Sequence, residues 1–197
     1  MRTRLTAQVH QIVQSSVPPG SCAIDATVGN GFDTVFLARL VGPGGLVIGF
    51  DIQLKALAAA TARLRSAGVL DRVKLIHDSH DRMGHYLSLL GPSRVSASLF
   101  NLGYLPGSDK SVVTRPESTI GALGAASRWL MPNGLISIVA YTGHDGGREE
   151  AEAVRDWTAG LPADEFSAMR PQGGFSGNRT PELTIIRRLN FPRTSCA

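Results

Sequence analysis

Residues 25–34 read Asp25-Ala26-Thr27-Val28-Gly29-Asn30-Gly31-Phe32-Asp33-Thr34, set between the apolar run Cys22-Ala23-Ile24 and a helical pattern over 33–40. A buried strand that feeds a glycine loop and then a helix is the opening unit of a doubly wound α/β sheet, whose ligands lie beyond the carboxyl ends of the strands. Gly29 and Gly31 let the backbone turn sharply and approach a ligand closely. The pattern is only G-x-G. A dinucleotide fingerprint has a third small residue where Thr34 stands, and it presents a pyrophosphate to the helix N-terminus. Asp25 and Asp33 would repel that pyrophosphate. S-adenosylmethionine carries a sulfonium and an ammonium group and no phosphate, so the charge pattern favours it over NAD.

The same alternation extends in both directions. Leu5, Val9, Ile12 and Val13 recur at helical spacing and predict an amphipathic helix that stops before Pro18-Pro19-Gly20. Further strands are expected at 46–50, 73–76, 95–100, 135–140, 166–170 and 183–189. Helices are expected at 53–66, 81–90, 117–130 and 147–160, with the Pro132-Asn133-Gly134 turn closing the third of these. Strands alternating with helices predict an α/β, Rossmann-like fold: a mostly parallel seven-stranded sheet with helices on both faces. No linker or repeat divides the chain, so residues 1–197 are expected to form one domain.

Composition excludes several classes. With 197 residues and 43% hydrophobic side chains, a sizeable core is feasible. Cys22 and Cys196 are the only cysteines, which disfavours a disulfide framework or a cysteine zinc site and suits the reducing cytoplasm. No metal site is expected. The first residues lack the apolar run of a signal peptide, and no segment is long and apolar enough to span a bilayer. A net charge of +4 is compatible with a polyanionic partner without requiring one.

Strand ends supply the candidate site. Asp51 closes the second strand, where a carboxylate can accept both ribose hydroxyls. Asp78-Ser79-His80 follows the third strand, at the position for the adenine amino group. After the fourth strand comes Asn101-Leu102-Gly103-Tyr104-Leu105-Pro106-Gly107. Asn101 and Tyr104 keep the N-x-x-Y frame of the N-P-P-[YF] motif of amino-methyltransferases, with Leu102 and Gly103 in place of its prolines. In that motif an Asn and a backbone carbonyl orient a nitrogen nucleophile and the aromatic ring packs over it. His144, just past the fifth strand, is placed to assist loss of the amine proton. Asp109 and Lys110 are similarly placed.

Three stretches resemble a bacterial rRNA-methylase family that includes the tRNA 5-(aminomethyl)-2-thiouridine methyltransferase. They are D-A-T-x-G-N-G-x-D-T from Asp25, N-L-G-Y-L-P-G-x-D-K from Asn101, and G-H-x-G-G-x-E-E from Gly143. The resemblance covers residues 5 to 189 in motif order. It implies a class I S-adenosylmethionine-dependent methyltransferase acting on the aminomethyl nitrogen of wobble uridine, in the anticodon region of tRNA. It further implies that Asp25, Thr27, Gly29, Asn30, Gly31, Asp33, Thr34, Asp51, Asp78, Ser79 and His80 serve the cofactor. Asn101, Tyr104 and His144 would surround the target amine, and Asn178-Arg179 would form a loop closing over the substrate. Leu105, Pro106, Asp109, Lys110 and Arg115 are expected on the substrate side as well. A homodimer is expected because one subunit offers little surface for a tRNA.

Other readings stay open at this level. The acceptor can be rRNA or a small amine, although the chain is short for a large lid. A non-catalytic RNA-binding factor has no need of the Asn101–Pro106 stretch, and a nicotinamide oxidoreductase is disfavoured by Asp33 and the missing third glycine.

Overall fold

The computed structural model describes residues 2–92, 94–105, 107, 112–171 and 181–190, with the side chains of residues 2–4 excepted. Seven strands form one sheet: β1 (Cys22–Asp25), β2 (Leu46–Asp51), β3 (Val73–His77), β4 (Val95–Leu102), β5 (Leu130–Ala140), β6 (Phe166–Met169) and β7 (Glu182–Arg188). Their order is β3-β2-β1-β4-β5-β7-β6. β1 to β5 pair in parallel, and β7 runs antiparallel between β5 and β6. This is the mostly parallel, seven-stranded sheet that the alternation of patterns predicts. Its order reverses beside β1, which has β2 on one side and β4 on the other. A crevice opens at such a switch point, above the carboxyl ends of the strands.

Two core clusters flank the sheet. Because side chains alternate across a strand, Ala23, Leu99 and Val139 face one way while Ile24, Phe100 and Ile138 face the other. The first face is covered by α1 (Arg2–Gln14), α2 (Phe32–Val41) and α3 (Leu54–Ser66). The second carries α4 (Met83–Leu90), α5 (Pro116–Trp129) and α6 (Gly147–Ala159). Leu5, Val9 and Val13 make the buried stripe of α1, as their spacing predicts. Each fully buried side chain of the size of Leu123 or Phe100 contributes roughly 1.5–3 kcal/mol. The packing of α1 beside α2 brings the chain's N-terminal segment over the crevice.

One expectation is corrected. Pro132-Asn133-Gly134 does not separate helix from strand, because α5 ends at Trp129 and β5 is already paired at Leu130. The register jumps from Val95↔Leu130 to Ala97↔Leu135, so the three residues bulge out of a continuing strand. Asn133, at φ 62, adopts the left-handed conformation that the bulge demands. The helix expected at 81–90 also divides, into a 3-10 turn over His80–Arg82 followed by α4.

Candidate active site

A cleft of about 360 Å³ lies over the switch point. At one end it is lined by Gly29, Asn30, Asp51, Asp78, Ser79 and His80. At the other it is lined by Asn101, Gly103, Tyr104, Leu105, Thr114 and Tyr141, with Thr27 and Asp33 also in its wall.

The first end is built by strand ends whose carboxylates are held by main-chain amides. Asp51 Oδ2 accepts the Gly29 N–H at 2.8 Å and Oδ1 accepts the Gln53 N–H at 2.9 Å. Each oxygen keeps a further lone pair for a ligand hydroxyl. Asp78 accepts the Ser79 N–H at 2.8 Å and the Tyr86 hydroxyl at 2.9 Å, bonds that hold its carboxyl below the usual range. His80 lies beneath the loop, its Nδ1 3.2 Å from the Ala26 carbonyl oxygen. Burial lowers its pKa, so the neutral ring is favoured. Its Nε2 is buried without a partner among the described residues, a polar atom left for whatever fills the cleft.

Three residues expected to touch the cofactor lie under the cleft instead. Asp25 is fully buried; it accepts the Thr34 hydroxyl at 2.6 Å and the Thr27 N–H at 3.2 Å, latching the end of β1 to α2. Burial, then the charge of Asp33, pushes its pKa up to about 7, while the bonds from Thr34 and Thr27 oppose the shift. Thr34 is the buried partner in that latch. Gly31 serves packing: a Cβ there would stand 2.8 Å from Ala60, where α3 crosses the loop.

The second end is assembled from distant side chains. Asn101 donates from Nδ2 to Asp33 Oδ2 at 2.8 Å, and its backbone N–H reaches Thr27 Oγ1 at 2.8 Å. An ionised carboxylate only accepts, so it selects the amide end of Asn101 and leaves the carbonyl Oδ1 as a free-facing acceptor. Tyr104 forms an isolated bridge with Val113 and packs its ring edge-on against His144, centroids 6.0 Å apart. Leu105 lies against Gly29, joining the two ends.

His144 is not in the cleft wall. Its Nδ1 is 2.8 Å from the Asp145 carbonyl oxygen, and Nε2 is buried without a partner among the described residues. The ring fits between Gly103 and Gly147; a Cβ on Gly147 would come within 2.9 Å of Nε2. It therefore packs against Tyr104 and the Gly103 turn from outside the cleft lining. Arg115 is exposed, next to the cleft residue Thr114. Pro106, Asp109, Lys110, Asn178 and Arg179 lie outside the described residues.

Glu150 was not singled out by the sequence, although it stands in the third motif. It is buried, accepts the Thr119 hydroxyl at 2.6 Å and the Thr114 hydroxyl at 2.7 Å, and burial raises its pKa. Thr114 Oγ1 in turn accepts the Gly103 N–H at 2.8 Å, and the Thr114 N–H donates to the Gly103 carbonyl at 3.0 Å. Glu150 thus ties the base of the 103–114 loop to α5 and α6.

Carboxylates at the strand ends, in a cleft also walled by Phe32, Phe50, Ile52 and Leu105, fit a cationic nucleoside cofactor, and comparisons with known proteins agree. Residues 47–187 match the family described as "Putative rRNA methylase". The chain belongs to this rRNA methylase family. It therefore has class I architecture and is an S-adenosylmethionine-dependent methyltransferase. The methylase is 42% identical to a "putative rRNA-methylase" from Clostridium thermocellum, covering 93% of this chain and 97% of that one, with a TM-score of 0.88. A methyltransferase from Streptococcus mutans, solved in complex with SAH, shares 33% identity over 93% of this chain and 97% of its own, with a TM-score of 0.83. The chloroplastic tRNA (mnm(5)s(2)U34)-methyltransferase of Arabidopsis thaliana is 40% identical over 84% of this chain. The chain spans 62% of the length of that plant protein. Among the described residues, no helix of the methylase is long and apolar enough to cross a membrane.

Proposed function

We propose that this methylase transfers a methyl group from S-adenosylmethionine to the aminomethyl nitrogen of wobble uridine in tRNA, converting aminomethyl-2-thiouridine to methylaminomethyl-2-thiouridine. The observation that carries the reading is Asn101, whose amide is held by Asp33 with its carbonyl oxygen left to orient an N–H. Methyl transfer is an in-line displacement: a nitrogen–carbon bond forms as the sulfur–carbon bond breaks. The attacking amine must be neutral to offer its lone pair. Bound in the cleft, the cofactor supplies the activated methyl group. Asp51 and Asp78 would hold its nucleoside, while Asn101 and Tyr104 would place the acceptor.

The choice of acceptor draws on the name of the Arabidopsis relative. An RNA partner is further supported by the distribution of charge. In the half of the chain before β4, Asp25, Asp33, Asp51 and Asp78 lie in or under the cleft. Only Asp71 and Asp81 are then left to offset the exposed cations Arg39, Lys55, Arg63, Arg65, Lys74, Arg82 and Arg94. Arg63 lies over the exposed Phe32 ring, its guanidinium carbon 3.6 Å from the centroid, at the margin of the cleft. A local excess of exposed cations, with an arginine-stacked aromatic at the cleft margin, suits a phosphate backbone and its bases. A cytoplasmic location fits this reading.

The test is incubation with S-adenosylmethionine and tRNA lacking the wobble methylation, followed by nucleoside mass spectrometry. One added methyl on aminomethyl-2-thiouridine is the expected result. A methyl on digested rRNA instead would move the acceptor to the ribosome, the substrate named in the family description.

A further inference from the structure

α1 reaches the active site at two points. Thr6 lines the cleft, and one turn later His10 Nε2 stands 2.7 Å from Asp33 Oδ1. The imidazole is seated as well as bonded. It stacks on Phe36, with ring centroids 3.7 Å apart and planes within 1° of parallel. Asp33 and Phe36 are three apart on α2, so both contacts come from one helix surface. The histidine side chain is 26% exposed and the aspartate 15%, so the contact is sheltered from water.

Asp33 bonds to two partners, one on each oxygen: Oδ1 faces His10 and Oδ2 accepts from Asn101. The buried carboxyl of Asp25 lies near enough to feel the charge of Asp33. His10 is the basic group bonded to this carboxylate from outside the sheet. The bond from His10 restrains the rotation of Asp33, and Asp33 in turn decides which end of the Asn101 amide faces the acceptor.

We propose that His10 is a positioning residue of the active site. By gripping Asp33 it fixes Asn101 with Oδ1 toward the acceptor nitrogen. This inference rests on the reading of Asn101 as the residue that orients the acceptor.

Two substitutions separate the bond from the stacking. His10→Phe keeps a ring on Phe36 and removes the donor, whereas His10→Gln keeps an N–H near the place of Nε2. In tRNA methylation assays, His10→Phe is expected to lower kcat at least tenfold with KM for S-adenosylmethionine within twofold. His10→Gln is expected to recover most of kcat. Equal losses in both variants, or an unchanged kcat in His10→Phe, would overturn the proposal.

A second readout needs no acceptor. The side-chain amide of Asn101, assigned by NMR in ¹⁵N-labelled protein, should carry a Nδ2 proton shifted by the carboxylate. That shift should collapse in His10→Phe and persist in His10→Gln. An unchanged signal in His10→Phe sinks the role of His10 whatever the acceptor is. The expected NMR changes in a protein that leaves tRNA unmethylated would keep His10's hold on Asn101 and reject the substrate reading instead.

Discussion

The two ends of the cleft are held in different ways. At the cofactor end, Asp51 and Asp78 are gripped by main-chain amides of Gly29, Gln53 and Ser79, groups that no substitution removes without remodelling the chain. At the acceptor end, Asn101 and the Gly103 turn hang on side chains: Asp33, Thr27, Thr114 and Glu150. Backbone anchoring makes a cofactor site that survives change nearby. Side-chain anchoring makes an acceptor site whose members fail together, because each orients the next.

The sharpest break in that comparison is Asn101→Ala. It removes the group proposed to orient the acceptor and touches none of the carboxylates fixed by the backbone. Turnover is expected to fall by about a hundredfold or more, the scale on which a misplaced nucleophile loses rate. Cofactor affinity by calorimetry should change by less than about threefold, well under the ~1.4 kcal/mol that a tenfold change represents. Equal losses in both would mean that the two ends are one unit.

Glu150→Ala tests the acceptor end from beneath. It strands the buried hydroxyl of Thr119 and frees that of Thr114 at the cleft, and an unpaired buried group costs about 1–3 kcal/mol. The expected result is a loss of stability of roughly 1–3 kcal/mol in urea unfolding, with a fall in kcat as the Gly103 turn loosens. Unfolding identical to that of the parent protein would show that the loop is held by something other than Glu150.

Asp51→Ala probes the other end. It deletes the carboxylate proposed to hold the ribose hydroxyls and is expected to weaken S-adenosylmethionine binding by about 1.5–3 kcal/mol. The Gly29 and Gln53 amides lose their acceptor, but both bonds are only part-buried and water can replace it, so thermal stability should move less than affinity. Unchanged binding would take Asp51 out of the site.

The same contrast explains what the sequence reveals. Asp25 to Thr34, Asp51 and Asp78 are legible because each follows a strand whose apolar run and turn residues are local signals. Asn101 and Tyr104 are legible for the same reason. Their support is not. Asn101 meets Asp33 across 68 positions, Glu150 meets Thr114 across 36 and Thr119 across 31, and His10 meets Asp33 across 23. His10 sits on the polar side of an amphipathic helix, where nothing in the periodicity sets it apart from its glutamine neighbours. His144 misleads for the opposite reason. Its loop follows a strand end like the others, but its ring turns back between Gly103 and Gly147, away from the crevice. Asp25 shows a similar limit: position alone cannot tell a carboxylate facing a ligand from one buried beneath the ligand loop.

Asp25 yields the finest test, because it couples the cofactor end to the fold. Its pKa of about 7 in the folded chain lies above the ordinary carboxylate value it regains on unfolding, chiefly through burial and then the charge of Asp33. Between pH 4 and 7 the folded chain therefore holds a proton that the unfolded chain has released. The stability that Asp25 contributes is complete below that window and declines as pH rises through it, by at most about 1.4 kcal/mol per pH unit. His80, kept neutral by burial, shifts stability in the opposite sense, so the informative quantity is a difference between two proteins. Asp25→Asn retains an oxygen for Thr34 or Thr27 and has no proton to release. Its unfolding free energy should gain on that of the parent protein steadily from pH 4 to 7 and stay ahead by a constant amount above. A pH-independent difference would mean that Asp25 ionises alike in both states. The latch under the loop would then be a buried anion, adding its charge to those of Asp33 and Asp51 in drawing a cationic cofactor.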